Sequence, residues 1–143
     1  MSGADALHVE IVTPEGEVYS DDVHMVVLPG VEGELGVLVR HQPLVTLLAV
    51  GETRLERPDG TRERVATGIG YAQVLFDRVL VVVDHAEHAG KIDVERAQQA
   101  RRRAEERLQS RGDPGAKAEV DLYRAEQSLK RAENRLRVSG HAH

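Results

Sequence analysis

Asp93 and Arg96 stand three residues apart in Ile92-Asp93-Val94-Glu95-Arg96-Ala97, and Arg103 follows two helical turns later on a similar face. A carboxylate at a helix start accepts backbone N–H groups and contributes about 1 kcal/mol as an N-cap, which leaves Arg96 as a solvated surface charge. The same residues have a second chemistry. Free N–H groups, a carboxylate and two guanidinium groups can recognise a phosphorylated, amino-bearing ligand. On the residues alone the cap is the stronger reading.

Other candidate chemistry is thinner. His85-x-x-His88, with Asp84 and Glu87 beside it, offers donors to a metal ion but no third defined ligand, so no metal site is assigned. The run Gly30-Val31-Glu32-Gly33-Glu34-Leu35-Gly36 lacks the spacing of a dinucleotide loop and opens no helix; its glycines are expected to shape turns between strands. There is no phosphate loop and no local nucleophile signature, and without cysteine there is no thiol catalysis. The chain is read as a non-enzyme with no required cofactor.

Two kinds of element must carry these residues. From Leu7 to about Ala86 short apolar or alternating runs are interrupted every few residues by turn chemistry, a β pattern. Candidate strands are Leu7–Val12, Val23–Leu28, Val37–Val39, Thr46–Val50, Thr53–Glu56, Glu63–Ala66, Gly70–Leu75 and Val79–Val83. Pro14-Glu15-Gly16 and Pro58-Asp59-Gly60 read as hairpin connections. Val79–Val83 reads as a central strand buried on both faces, whereas Leu7–Ile11 alternates and keeps one wet face. After Gly90 the period changes. Ala97, Ala100, Ala104 and Leu108 line one amphipathic helix, and Ala118, Leu122, Ala125, Leu129, Ala132 and Leu136 the seam of a second. Gly112-Asp113-Pro114-Gly115 separates them, so the pair is expected to form an antiparallel hairpin. The fold class is α+β: a β-sandwich or flattened barrel at 1–88, a two-helix hairpin at 89–138 and a disordered tail at 139–143. The alanine-rich seam buries little area, so the hairpin is expected to be marginal alone and able to dock or detach.

Composition narrows the function. Aromatics make up 3% of the 143 residues and tryptophan is absent, so the core is expected to rest on Val, Leu, Ile and Ala, and stacking platforms for nucleic acid are not expected. The net charge of -5 is divided unevenly. Residues 91–143 hold 13 Lys/Arg against 9 Asp/Glu, a balance of +4, and residues 1–90 hold 6 against 15, a balance of -9. A basic helical tail on an acidic body suggests an acidic partner for the tail. No export signal or apolar span of ~18 residues is present, and residence in a bacterial cytoplasm is the expectation.

The segment Pro29-Gly30-Val31-Glu32-Gly33-Glu34-Leu35-Gly36-Val37-Leu38, followed by His41-Gln42-Pro43-Leu44-Val45-Thr46-Leu47-Leu48, closely resembles the epsilon subunit of F-type ATP synthases. Gly68 to Val74, Val81 to Glu87 and the Ile-Asp-x-x-Arg-Ala helix start follow in that family's order, so the similarity covers nearly the whole chain. Val39 departs from it, since members commonly carry proline there, and the strand is expected to run slightly further. The resemblance implies a rotor-stalk subunit whose sandwich binds the gamma subunit and rests on the c-ring, held peripherally at the cytoplasmic face of the bacterial inner membrane. It also implies that the helices can extend toward the alpha and beta subunits and impede ATP hydrolysis. Arg101, Arg102, Arg103, Arg107 and Arg111 are candidates for that contact by charge, and His41 is a further partner-contact candidate. In some members the folded hairpin binds ATP as a regulatory ligand. By motif, Ile92, Asp93, Arg96 and Ala97 carry over to that site, with Glu87 and Arg103 at plausible spacing; on the second helix Arg124, Lys130 and Arg131 compete. The alternative is a free-standing ATP-binding sensor outside any rotary complex.

Overall fold

Two turns fix the strand boundaries on either side of them. Pro14 and Glu15 join β1 (Leu7–Thr13) to β2 (Gly16–Val23), with Gly16 at φ 127° facing Thr13. Pro58-Asp59-Gly60 joins β6 (Gly51–Glu56) to β7 (Arg62–Thr67), with Gly60 at φ 88°. Both glycines hold a backbone conformation that L-residues avoid. Asp59 closes the second turn by accepting bonds from the Thr61 N–H at 2.9 Å and hydroxyl at 2.6 Å. Those two bonds, the hydroxyl first, hold its carboxyl below the usual carboxylate range.

The computed structural model describes residues 6–109 and 116–140. Its remaining strands are β3 (Met25–Gly30), β4 (Gly33–Leu38), β5 (Leu44–Leu48), β8 (Gly70–Val74), β9 (Arg78–Val83) and β10 (Ala86–His88). They form one sheet in the order β10-β7-β6-β3-β5-β8-β9-β1-β2, with β4 paired to β3. β1 and β9 run parallel and the other neighbours antiparallel. β3 pairs with β6 at its start and touches β5 at Gly30, which turns the sheet back over itself. The result is the expected α+β chain, with a nearly closed barrel or sandwich followed by two helices.

Alternation along β1 sends Leu7, Val9 and Ile11 into the core, where they meet Leu28, Leu55 and Val81, all fully buried or nearly so. Tyr19 is the one aromatic among these buried core residues. β9 lies in mid-sheet, but only Val79, Val81 and Val83 are buried, while Leu80 and Val82 are half-exposed. The expectation of burial on both faces is thereby corrected: the strand's second face is covered only in part, and its continuous apolar run reflects β-propensity as well as burial.

Three further strand assignments change. β2 is absent from the expected strands, because Gly16–Val23 buries only Tyr19 and Val23 and carries Ser20, Asp21 and Asp22 between them. β4 starts at Gly33 and ends at Leu38, so it does not run on through Val39. Arg40 stops it with φ 69°, its N–H donating to the Phe76 carbonyl at 2.8 Å. β10 is three residues long and is recruited by pairing to β7.

Arg40 is the one described non-glycine residue with positive φ. The left-handed conformation costs an L-residue ~1–2 kcal/mol, partly offset by the unfolded-state entropy that glycine adds. Arg40→Gly is therefore expected to raise stability by about 0.5–1 kcal/mol, seen as a higher urea midpoint at unchanged m-value.

The chain divides into two units, one ending at Ala89 and the other beginning at Gly90. A short 3-10 turn (Ala89–Lys91) leads to α1 (Val94–Gln109), and α2 spans Ala116–Ser139. Ala97 and Ala104 of α1 are buried, as are Ala125, Ala132 and Leu136 of α2, while Ala100, Leu108, Leu122 and Leu129 are half-buried. The seam is thus small-residue packing, as its composition dictates. α2 reaches Ser139, whose hydroxyl donates to the Leu136 carbonyl at 2.8 Å, and Gly140 follows at φ 87°. The expected inter-helix turn at 112–115 and the end of the expected tail, 141–143, lie outside the described residues.

Candidate functional site

Local bonding at the start of α1 shows what Asp93 does. Its carboxylate accepts the Arg96 N–H at 3.0 Å and its carbonyl accepts the Ala97 N–H at 3.0 Å, the geometry of an N-cap. The cap sets a negative charge against the helix end. An incoming anion is therefore better met by the arginine side chains beyond it than by the N–H groups themselves.

Those side chains converge. The capping Asp93, together with Glu95, Arg96, Gln99 and Arg103 of α1 and Arg135 of α2, lines an open groove of about 660 Å³. Arg96, Gln99 and Arg103 fall on one face because they step by three and four residues. Arg135 belongs to the last turns of α2 yet faces the first turns of α1, so the two helices run antiparallel. Three guanidinium groups against two carboxylates leave the groove with one positive charge. Its volume falls within the ~300–1,000 Å³ of small-molecule sites, and its polar walls suit a charged ligand that also offers hydrogen-bond donors.

The other candidates are distributed differently. Ile92 and Ala97 are buried and support the helix start without lining the groove. Glu87 belongs to β10, opposite Ala66, in the sandwich unit. Arg124, Lys130 and Arg131, the competitors on the second helix, do not line the groove; Arg131 donates to Ser128 at 3.1 Å. Of the arginines assigned to partner contact, Arg102, Arg103 and Arg107 are exposed, Arg101 is half-buried and 3.9 Å from Glu105, and Arg111 lies outside the described residues. His41 is half-buried, with Nδ1 2.8 Å from the Gln42 carbonyl oxygen.

Neither histidine of His85-x-x-His88 shares a ligand set with the other. His85 Nδ1 lies 2.8 Å from Asp84 and His88 Nδ1 2.9 Å from Glu63, and among the described residues no group of three or more His, Cys, Asp or Glu is placed to hold a metal ion. No described helix is long and apolar enough to cross a membrane.

Sequence reasoning missed two features. Arg135 was one of several cations on α2, and only the helix pairing selects it. The second is an exposed apolar face on β5 and β8, where Val45 (68% exposed), Leu47 (63%) and Tyr71 (42%) stand together, Leu47 directly opposite Tyr71. Val31, also exposed, bonds through its N–H to the Leu47 carbonyl at 3.0 Å. The signal was present in Leu44-Val45-Thr46-Leu47-Leu48, a strand apolar on both faces whose outer side chains are exposed among the described residues.

Residues 6–89 match the family model of the ATP synthase delta/epsilon chain β-sandwich domain, and residues 91–140 match that of its long α-helix domain. The ATP synthase epsilon chain of Desulforamulus reducens is 47% identical over 109 residues, covering 76% of this chain and 82% of the relative. That of Halalkalibacterium halodurans is 50% identical over 103 residues, covering 72% and 77%. Among solved structures, a chain of the Euglena gracilis mitochondrial ATP synthase superposes with a TM-score of 0.76 at 23% identity, over 94% of this chain and 81% of that one. A chain from the central stalk and c-ring structure of the Tetrahymena thermophila mitochondrial enzyme gives 0.62 at 11% identity, over 96% and 99%. At those identities the superpositions speak for the fold.

Proposed function

Because this chain belongs to the ATP synthase delta/epsilon family as an epsilon subunit, a non-catalytic part of the F-type enzyme, we propose that it works as a rotor-stalk protein with a nucleotide-responsive helical unit. In this reading the sandwich joins the gamma subunit to the c-ring at the cytoplasmic face of the bacterial inner membrane. The face around Val45, Leu47 and Tyr71 is the surface offered to gamma, since a neighbouring subunit is the natural cover for apolar side chains left in water. The basic helical unit meets acidic segments of the alpha and beta subunits through Arg102, Arg103 and Arg107 and restrains ATP hydrolysis.

ATP is the regulatory ligand in this proposal, and the observation that carries it is the convergence of Arg96, Arg103 and Arg135 on one groove beside Asp93 and Glu95. The guanidinium groups suit phosphate oxygens, and the carboxylates suit an amino group. Binding would hold α1 and α2 together across the groove and disfavour their separation, which ties nucleotide level to the availability of the inhibitory helices.

Calorimetric titration of the full-length chain with ATP tests this. Arg103→Ala and Arg135→Ala are each expected to weaken binding by about ten- to a hundredfold, the scale of one charge-assisted hydrogen bond of ~1.5–3 kcal/mol. Asp93→Ala serves a different purpose, because it removes the cap as well. It is expected to cost about 1 kcal/mol of helix stability whether or not ATP is present. Absence of binding at millimolar ATP would remove the sensing function and leave Asp93 as a cap alone.

A further inference from the structure

We propose that His88 is a proton-operated latch on the last strand of the sandwich, acting apart from the nucleotide groove. His88 Nδ1 lies 2.9 Å from Glu63 Oε1 on β7, and Nε2 lies 2.9 Å from the Val18 carbonyl oxygen on β2. A carbonyl and an ionised carboxylate only accept hydrogen bonds, and a neutral imidazole donates from one nitrogen alone. The doubly protonated ring makes both bonds. The neutral ring keeps one and turns a lone pair toward the other acceptor.

The position of these bonds gives them leverage. β10 and β2 are the two ends of the strand order, and they form no ladder with each other among the described residues. β10 is held by three residue pairs to β7, so the His88 to Val18 bond ties the end of the sheet across the seam. β10 also ends two residues before Gly90, where the helical unit begins.

Of the groups around the ring, Arg57 also spans the seam, with a charge that stays fixed. From β7, Glu63 is shared with Arg57, whose Nη2 stands 3.5 Å away. Arg57, in the β6–β7 turn, is also bonded to Asp21 of β2 at 3.1 Å. The Tyr19 ring of β2 lies 6.1 Å from the His88 ring, and burial pushes its phenol up against the opposing pull of the Arg57 charge, so it stays neutral where histidine titrates. The number of protons on His88 therefore decides how many of these bonds are made.

The test is amide exchange and imidazole 15N shifts of the full-length chain between about pH 5.5 and 8.5, the range in which histidine changes charge. In the wild-type protein, protection of β10 amides, measured relative to β3 core amides, is expected to fall about tenfold as the ring loses its second proton, the size of one charge-assisted bond. His88→Arg, which keeps its donors at every pH, is expected to hold β10 protection level across the range. Should that variant fold poorly, His88→Gln gives the complementary reading, with low protection at both extremes. A ring that does not titrate in the range, a titrating ring with unchanged β10 protection, or the same loss in His88→Arg would each overturn the latch.

Discussion

Gly70→Ala is expected to prevent the sandwich from folding. A Cβ on Gly70 would stand 1.9 Å from the Val82 carbonyl oxygen and 2.8 Å from the Val83 Cα. Both atoms are backbone of β9, the strand to which Gly70 is paired, so no side-chain rotation relieves the overlap. Relief requires β8 and β9 to part at the Gly70–Val83 end of their ladder, against a core that includes Val79, Val81 and Val83. That exceeds the ~4–5 kcal/mol of the most damaging single substitutions and takes most of a total stability of ~5–15 kcal/mol. Gly68 provides the control. Its added Cβ would meet Asp84 Oδ1 at 1.8 Å and the His85 ring at 2.4 Å, which are side-chain atoms that can swing away. Gly68→Ala should therefore remain folded with a lowered midpoint, while Gly70→Ala shows no cooperative urea transition by circular dichroism. Equal midpoints for the two variants would contradict this account of the β8–β9 crossing.

Removal of everything after Ala89 is expected to have the largest functional effect. The sandwich core draws every member from residues 7–86, so a chain ending at Ala89 should fold with its own cooperative transition. It retains the face at Val45, Leu47 and Tyr71 and loses the groove with Arg96, Arg103 and Arg135. Under the proposed function, complexes assembled with it should still form, should hydrolyse ATP severalfold faster than those with the full chain, and should lose any response that depends on ATP binding to this subunit. Unchanged hydrolysis would place inhibition outside α1 and α2.

Much of the architecture could be read from the sequence, and the exceptions have physical causes. The change of period after Gly90 separated strands from helices, because alternation and three- and four-residue spacing are direct consequences of strand and helix geometry. Pro-acid-Gly marked two hairpins since those turns need positive φ at fixed positions. β2 escaped because Asp21 interrupts the inward face between Tyr19 and Val23 while Glu17, Ser20 and Asp22 add no apolar alternation, so its strand state comes from pairing with β1 rather than from its own pattern. β10 escaped for a similar reason, as three half-buried residues are held in place by β7.

The groove shows the same division. Asp93, Arg96 and Arg103 were legible because they lie on one helix, where spacing alone fixes the face. Arg135 was not, because its place depends on how α2 aligns with α1. Alanine contacts leave that alignment weakly encoded in any local pattern. The sequence offered His88 no defined partner beyond a weak donor pairing with His85, whereas the register of β10 on β7 gives it to Glu63 and the backbone of β2.

The central claim is that this protein works inside a rotary complex through its sandwich. The most direct measurement is affinity purification of the tagged chain from its own cells, in parallel with Leu47→Asp, followed by identification of the co-purifying subunits. The account predicts gamma, alpha, beta and c subunits with the wild-type chain and a marked loss of all four with Leu47→Asp, which places a charge in the apolar face. A wild-type chain recovered without gamma would contradict it and leave the nucleotide groove as the property of a free-standing sensor.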